Sequence, residues 1–335
     1  MRCTVRNKFF YGTDLDQNPI ERSNLSDPAM EHEIGRSPRS SEGLVKLSPW
    51  ILAARPRTLS LSIMPVIVGG TLAWTVAGNF RWPALLAALL GGIFIHLGTN
   101  LHNDATGSKR GGDGPDRFGP LRATASGLLA EASVHATAIG CFAAAALIGC
   151  YLIWVGGWPI FLLGVASIVS GWAYNGGPLP IAYTPFGELF VVAFFGLGAV
   201  CGTYWLCTGH LDAAAINAGL ALGFFAAAVL LVNNQRDVKA DARVGRRTLA
   251  ILAGPRVTQG IYAAMVLTPF ALLGLIGSEL PRGHVWPALM SLPFVVLLIN
   301  RFIHEPREHG LNGVLGQTVQ VQALFGLLLC LGLAL

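Results

Sequence analysis

One stretch of the chain decides the fold. It reads Ala213-Ala-Ala-Ile-Asn-Ala-Gly-Leu-Ala-Leu-Gly-Phe-Phe-Ala-Ala-Ala-Val-Leu-Leu-Val-Asn233-Asn234-Gln-Arg236-Asp237-Val-Lys239-Ala-Asp241. An almost wholly apolar run is followed at once by amides, acids and bases. About 20 apolar residues are what an α-helix needs to cross the hydrocarbon core of a bilayer. The stretch therefore predicts a membrane-spanning helix over about 213–233 that ends in a polar site.

The rest of the chain repeats this apolar pattern. Hydrophobic residues make up 53% and charged residues 12% of the 335 residues, whereas soluble domains carry roughly 25% charge. This composition excludes a disordered chain and argues against a soluble globule. We therefore predict an all-α, polytopic membrane protein with nine transmembrane helices. The other eight runs lie at about 59–78, 83–101, 133–155, 158–173, 187–207, 257–277, 285–301 and 317–335.

The basic residues predict the orientation of these spans. Of the 23 Lys and Arg, all but Arg81 and Arg282 fall in the N-terminal region or in even-numbered loops. The positive-inside rule then places the N-terminus and those loops in the cytosol, with a bacterial inner membrane as the expected location. Residues 1–48 are polar and lack the apolar core of a signal peptide. We expect them to form a disordered cytosolic tail before a single transmembrane domain over 49–335.

Two clusters of acids and amides follow spans two and six. They are Asn100–Arg117 and Asn233–Arg243, four spans apart and on the same predicted side. Asp237 and Asp241 have i,i+4 spacing, so they share a helix face and repel unless a cation lies between them. Oxygen ligands suit Mg²⁺, which commonly bridges carboxylates to substrate phosphates. With Lys and Arg interleaved, the clusters predict a diphosphate site that caps an apolar cavity on the cytosolic side.

Several segments together resemble the UbiA superfamily of intramembrane prenyltransferases, and within it the 1,4-dihydroxy-2-naphthoate polyprenyltransferases of menaquinone synthesis. The resemblance covers about 50–335 and implies a nine-helix bundle. It further implies transfer of a polyprenyl group from polyprenyl diphosphate to an aromatic acceptor, with Mg²⁺ as cofactor, lipid around the bundle and no nucleic-acid partner. The segments are Arg55-Pro-Arg57-Thr, Asn100-Leu-His-Asn103-Asp104, Tyr174-Asn-Gly-Gly-Pro178, Gly187-Glu188, Asn233–Asp241 and Leu311-Asn312-Gly.

The resemblance and the charge pattern select the candidate site residues. The expected metal ligands are Asn103, Asp104, Asp113, Asn234, Asp237 and Asp241. The expected diphosphate ligands are Lys109, Arg122, Arg243 and Arg247. Asp104, Asp237 and Asp241 are expected to be catalytic through the metal. Tyr174 is expected to face an allylic cation with its ring, or else to be a tyrosine at the membrane interface. Glu188 is either a functional intramembrane acid or an acid that favours a helix N-terminus.

One position departs from the family pattern. The first motif usually has Asp four residues after Asn103, where this chain has Gly107; Asp113 is present ten residues after Asn103. Either Asn103, Asp104 and Asp113 hold the first metal, with or without Asp116, or the site is weakened or retuned. Three alternatives therefore stay open: a UbiA-type enzyme for another acceptor such as 4-hydroxybenzoate, homogentisate or a quinolone; a transporter; and a catalytically impaired paralogue.

Overall fold

The computed structural model describes residues 49–109, 118–281, 283–306 and 309–335, with Ser108 and Lys109 described through their backbone alone. Regular structure in these ranges is entirely helical, which confirms the predicted all-α class. The predicted tail 1–48 lies outside the described residues. The helices are α1 Pro49–Ala54, α2 Ser60–Ala77, α3 Trp82–Lys109, α4 Glu131–Gly156, α5 Trp158–Ala173, α6 Gly187–Thr208, α7 Ala213–Arg236, α8 Val238–Arg243, α9 Leu249–Ser278, α10 Trp286–His304 and α11 Gly310–Ala334.

All nine predicted apolar runs form helices. Eight of these helices are long and apolar enough to cross a membrane, and the ninth, α5, is shorter at 16 residues. Large apolar side chains such as Leu147 and Trp154 on α4 are 75% and 81% exposed. Exposed apolar side chains on this scale are expected where lipid is the solvent. The chain is an integral membrane protein, and the exact count of nine spans stays a prediction.

Helix α7, the helix of the deciding stretch, lies at the centre of the bundle. It packs against α9, α6, α11 and α2. Its alanines at 214, 215, 218 and 221 are fully buried. Small residues let helix backbones approach closely, which is how helices associate where lipid removes the hydrophobic driving force. The composition of α7 therefore explains why it forms the core rather than the lipid-facing surface.

The C-terminal ends of α3 and α7 lie at the same end of the bundle. The side chain of Asn312, at the start of α11, accepts a hydrogen bond of 2.8 Å from Arg236 and donates one of 2.9 Å to the backbone oxygen of Phe118. Asn100 of α3 donates to the backbone oxygen of Ala54 at 3.0 Å. Residues of both clusters line one cavity, so the clusters converge in space although Asn100 and Asn233 are 133 positions apart in the sequence.

Helix α6 contains a π-helical segment over Val192–Gly198. The segment packs directly on α7: a Cβ built on Gly196 would run into the backbone oxygen of Gly219 and the Cα of Gly223. Only glycine permits this approach, because any side chain would separate the two helices. π-Helical segments are rare and are frequent at functional sites. Here the segment turns Phe194 and Phe195 toward the cavity described next.

Candidate active site

A cavity of about 580 Å³ lies between α2, α3, α4, α5, α6 and α7. Its wall changes character along the helices. On α3 it runs from Ala88 and Ile95 to Asn103, and on α7 it runs from Ala226 to Asn234 and continues to Asp237 just after the helix. Both helices thus become polar toward the end where the two motifs meet. The geometry matches the predicted arrangement of a polar head site with an apolar compartment behind it.

The second motif forms one side of the polar end. Asp237 is paired with the buried Arg236 through two hydrogen bonds, of 3.0 Å from Nε and 2.6 Å from Nη2. Arg236 also donates to the side-chain oxygens of Asn233 at 2.7 Å and Asn312 at 2.8 Å. Asp237 lies at the junction of α7 and α8, and Asp241 follows one turn later, with its N–H bonded to the backbone oxygen of Asp237 at 2.8 Å. Both carboxylates line the cavity, as their spacing predicts.

A second guanidinium group, that of Arg246, lies beside the second motif at the polar end of the cavity. Arg246 forms an ion pair with Asp241 at 3.0 Å and lies over the ring of Tyr183, 5.0 Å from its centroid. Its Nη2 also donates to the side-chain oxygen of Asn175 at 3.5 Å. Arg246 lines the cavity. It was not among the predicted ligands, which included its neighbours Arg243 and Arg247. Those two side chains are exposed and are absent from the cavity wall.

In the first motif, one of the two predicted metal ligands in the described residues lines the cavity and the other does not. Asn103 lines the cavity, and its Oδ1 is buried without a hydrogen-bond partner among the described residues. Asp104, which is only 1% exposed, does not line the cavity. Its carboxylate accepts hydrogen bonds from the N–H groups of Ala123 at 3.2 Å and Thr124 at 2.9 Å. A metal at Asp104 stays a prediction, since in this structure the carboxylate is held by these backbone N–H groups.

Other predicted residues take varied positions. Arg122 lines the cavity and donates from Nη1 to the backbone oxygen of Asn103 at 2.6 Å. Lys109 is the last residue of α3, and its side chain is outside the described part of the chain, as are Asp113 and Asp116.

Tyr174 follows the last residue of α5 and lines the cavity. Burial is the main cause that raises the pKa of its hydroxyl above the ordinary value, and the nearby Glu188 carboxylate adds to it. The hydroxyl is therefore neutral at physiological pH. A neutral phenol ring presents its electron-rich face to a cation without introducing a competing anion.

The segment before α2 belongs to the family resemblance, but the sequence predicts no role at the site for its residues. Arg55 lines the cavity in a left-handed conformation with φ 53°, which is rare for a residue other than glycine. The hydroxyl of Thr58 donates to the backbone oxygen of Arg55 at 3.0 Å and lies 3.3 Å from Nε2 of His96. The hydroxyl of Ser62 lies 2.7 Å from Nδ1 of the same ring. Strained backbone is concentrated at functional sites, and the backbone angle of Arg55 is visible only in the structure.

The donor set at the second motif fits Mg²⁺ better than it fits a transition metal. In the described residues no three His, Cys, Asp or Glu side chains cluster closely enough to hold an ion. The carboxylates of Asp237 and Asp241 and the amide of Asn234, all on the cavity wall, are the groups that could hold such an ion here. Two carboxylates with neutral oxygens, completed by water and substrate phosphate, are typical of Mg²⁺ sites.

Comparison with known proteins agrees with this geometry. Residues 62–311 match the model of the UbiA prenyltransferase family. The chain is 35% identical to a 1,4-dihydroxy-2-naphthoate octaprenyltransferase of Mycobacterium tuberculosis over 257 residues, or 73% of this chain and 87% of that protein. It is 30% identical to a protein of the same name from Bacillus subtilis over 280 residues, or 83% of this chain and 90% of that protein.

Solved structures share the fold. A UbiA homolog from Archaeoglobus fulgidus bound to DMAPP and Mg²⁺ aligns with a TM-score of 0.64 at 15% identity, covering 86% of this chain and all of that one. A UbiA homolog from Aeropyrum pernix K1 aligns with a TM-score of 0.61 at 13% identity, covering 81% and 96%. The architecture, the converging motifs and these matches lead to one conclusion: the chain belongs to the UbiA prenyltransferase family.

Proposed function

We propose that this protein catalyses Mg²⁺-dependent transfer of a polyprenyl group from polyprenyl diphosphate to 1,4-dihydroxy-2-naphthoate. The observation that carries the proposal is the junction of two carboxylates and three guanidinium groups with an apolar cavity of about 580 Å³. A polyprenyl diphosphate has the same division into an anionic head and an apolar tail. The choice of acceptor is supported by the names of relatives at 30–35% identity over most of the chain.

The polar end holds the leaving group. We assign Asp237, Asp241 and Asn234 to the metal, and Arg122 and Arg246 to the diphosphate oxygens. The chemistry that bound Mg²⁺ supplies is charge neutralisation of the diphosphate. The guanidinium groups donate charge-assisted hydrogen bonds to the remaining oxygens. Asp104, Asp113, Lys109, Arg243 and Arg247 stay predictions from the sequence.

The transfer then needs few groups from the protein. The C–O bond to the diphosphate breaks, and the diphosphate leaves with the electron pair. The resulting allylic cation lies against the ring of Tyr174, whose π face stabilises it. The naphthoate carbon that bears the carboxylate attacks the cation, and loss of CO₂ returns the electron pair of the broken C–C bond to the ring. The products are demethylmenaquinol, which is the hydroquinone form, together with CO₂ and diphosphate.

The apolar compartment binds the isoprenoid tail and keeps water away from the cation. Phe190, Phe194 and Phe195 of α6 line it, and aromatic faces suit both an apolar chain and a nearby positive charge. The polar end lies in the cytosol in this proposal, because the basic residues concentrate at the loops on that side. The prenyl diphosphate then enters with its head in water and its tail in lipid.

The test is a prenyl-transfer assay on the purified full-length protein in nanodiscs. The substrates are 1,4-dihydroxy-2-naphthoate and a mixture of polyprenyl diphosphates, with and without Mg²⁺, and products are read by mass spectrometry of the lipid extract. We expect a demethylmenaquinol that forms only with Mg²⁺ and that is detected as demethylmenaquinone after oxidation by air during extraction. Product with 4-hydroxybenzoate or homogentisate alone would contradict the acceptor, and no product with any of the three would contradict the function.

A matched pair of variants ties the activity to the site. Asp237→Asn removes a carboxylate from the cavity wall, whereas Asp212→Asn makes the same change at the opposite end of α7. We expect the first to abolish transfer and the second to retain it. Equal losses in both variants would contradict the assignment of the site to this end of the bundle.

A further inference from the structure

The apolar compartment of the cavity has a limited length. On α3 its wall extends from Asn103 at the polar end back to Ala88, which is about 22 Å of helix at 1.5 Å per residue. An extended isoprene unit adds four chain bonds of about 1.5 Å each, or about 5 Å along the chain once the bond angles are included. The compartment therefore holds about four isoprene units, and a longer tail has to leave it.

The far end of the compartment is closed at the turn that joins α4 to α5. Ile160 and Leu206 line the cavity there and are both buried. A Cβ built on Gly156 would run into the side chains of both residues. The indole N–H of Trp205 donates to the backbone oxygen of Gly156 at 2.8 Å. These contacts join α4, α5 and α6 at the turn, so a tail does not continue through this end.

Side chains also fill two of the seams between the helices that surround the compartment. Leu163 of α5 packs into α6, because a Cβ built on Gly198 or Gly202 would lie 3.0 or 2.6 Å from its methyl carbons. On the other side, a Cβ built on Gly91 of α3 would lie 3.7 Å from Ile148 of α4. The α5–α6 and α3–α4 seams are therefore packed at these positions.

The seam between α4 and α5 is open at one depth. Gly149 lies seven residues before Gly156, and Gly164 lies seven residues after Gly157, so both are about 10 Å from the turn. Both glycines line the cavity. A Cβ built on either would have no atom of the described residues within 4 Å. The two helices thus carry glycines at the same depth with empty space beside each.

The same seam reaches the outer surface of the bundle. Ala146 of α4 and Val165 of α5 line the cavity and are also exposed, Val165 at 47%. Residues that contact both the cavity and the surface show where the cavity reaches the outside. This surface belongs to two apolar helices far from their polar ends, so lipid is its solvent. We call the opening formed by Gly149 and Gly164, with Ala146 and Val165 beside them, the tail window.

We propose that the tail window is the exit of the prenyl tail, and that Gly149 and Gly164 determine whether the protein accepts long prenyl diphosphates. The first isoprene units lie in the compartment, and later units pass between α4 and α5 into the lipid. Glycine is needed at both positions because any side chain there would project into the path of the tail. The proposal rests on the proposed function, since it concerns the tail of the same substrate.

The test compares a short and a long substrate in full-length variants in nanodiscs. Gly149→Leu and Gly164→Leu fill the tail window, whereas Gly140→Leu makes the same change at an exposed position of α4 that does not line the cavity. The measurement is kcat/KM for geranyl diphosphate, with two isoprene units, and for octaprenyl diphosphate, with eight, at saturating 1,4-dihydroxy-2-naphthoate.

We expect both window variants to lose about 10-fold or more of kcat/KM for octaprenyl diphosphate, because the chain would have to pass an inserted side chain. Geranyl diphosphate ends before the window, so we expect its kcat/KM to stay within about 3-fold of the wild type. Gly140→Leu should retain both values. An unchanged octaprenyl value, or equal losses for both substrates, would overturn the tail window alone. No transfer of either substrate by the wild type would overturn the proposed function and the window with it.

A second measurement locates the tail in the wild-type protein. An octaprenyl S-thiolodiphosphate that carries a diazirine on its fifth isoprene unit is bound and irradiated in nanodiscs, and the crosslinked peptides are identified by mass spectrometry. We expect crosslinks to α4 and α5 around Gly149 and Gly164. Crosslinks to α2 and α11 instead would place the exit between those helices and overturn the proposal.

Discussion

The side-chain amide of Asn234 donates a hydrogen bond of 2.9 Å to Oε1 of Glu188. Both side chains are buried, at 7% and 4% exposure. Because a carboxylate oxygen accepts and does not donate, this contact assigns Nδ2 of Asn234 to Glu188 and leaves Oδ1 for the cavity that Asn234 lines. Glu188, which does not line the cavity, therefore determines which atom of a proposed metal ligand faces it.

This relationship predicts a graded response at position 188. Glu188→Ala removes the acceptor and lets the amide of Asn234 turn, so we expect the Mg²⁺ concentration for half-maximal activity to rise by about 3- to 10-fold, equivalent to roughly 1 kcal/mol for one hydrogen bond. Glu188→Gln keeps an acceptor oxygen, and we expect it to recover most of the wild-type Mg²⁺ response. The measurement is transfer rate against Mg²⁺ concentration. A purely structural role for Glu188 would instead lower the amount of active protein without moving that midpoint.

The carboxylates of Asp237 and Asp241 should differ in their effect on stability. Arg236, the partner of Asp237, has a side chain only 2% exposed, whereas Arg246, the partner of Asp241, is 14% exposed. Removing one partner of a buried ion pair costs about 3–5 kcal/mol. We expect Asp237→Ala to lower the unfolding temperature clearly more than Asp241→Ala, while both reduce transfer by at least about 100-fold. Equal unfolding temperatures would contradict the assigned pairing.

The sequence-based prediction and the structure differ on which of three neighbouring arginines reaches the cavity. Arg246 lines the cavity, while Arg243 and Arg247 are exposed. We expect Arg246→Gln to raise KM for the prenyl diphosphate by about 10-fold or more, in line with the loss of a charge-assisted hydrogen bond. Arg243→Gln and Arg247→Gln should change KM by less than about 2-fold, as expected for surface charges. The measurement is KM and kcat for each variant at fixed Mg²⁺. A larger increase in KM for Arg243→Gln or Arg247→Gln than for Arg246→Gln would favour the diphosphate ligands predicted from the sequence.

The ring of Tyr174, rather than its hydroxyl, should carry its function. Tyr174→Phe keeps the π face, so we expect transfer within about 3-fold of the wild type, whereas Tyr174→Leu should lose about 10-fold or more. Because burial raises the pKa of this tyrosine, its hydroxyl stays protonated at neutral pH and well above it. We therefore expect its ionisation to cause no change in kcat between about pH 6 and 9. Measuring kcat against pH for both variants checks this. A Tyr174→Phe variant as inactive as Tyr174→Leu would assign the role to the hydroxyl.

The close contact between α6 and α7 should be intolerant of side chains. Gly196→Ala would push a methyl group into the backbone of Gly219 and Gly223, so we expect a loss of stability of about 2 kcal/mol and displacement of the π-helical segment. Gly140→Ala, on the exposed face of α4, serves as the control, because its added methyl group would have no described atom within 4 Å. Thermal unfolding in detergent gives the comparison. Similar unfolding temperatures for the two variants would mean that the helices separate at little cost.

Much of the fold follows from the sequence because lipid imposes simple rules. A backbone in the bilayer core has to satisfy its own hydrogen bonds, so each long apolar run becomes a helix. All nine predicted runs are helices, and their ends differ from the predictions by at most eight residues, as at α9, which begins at Leu249 rather than 257. The convergence of Asn103 with Asp237 and Asp241 was also predictable, because the two motifs share a position in the two halves of the chain.

What the tertiary structure alone decided is the direction of individual side chains. The sequence selected Asp104, Arg243 and Arg247 as ligands by residue type and spacing, yet Asp104 faces two backbone N–H groups and the two arginines face outward. Arg246 and Arg55 line the cavity because of a turn after α8 and a left-handed residue before α2. Composition and periodicity determine which segments cross the membrane, since burial of apolar surface acts along whole helices. The direction of a side chain depends on local backbone angles and on residues distant in the chain, as where the guanidinium of Arg122 lies against Gly107. These contacts exist only once the helices have packed.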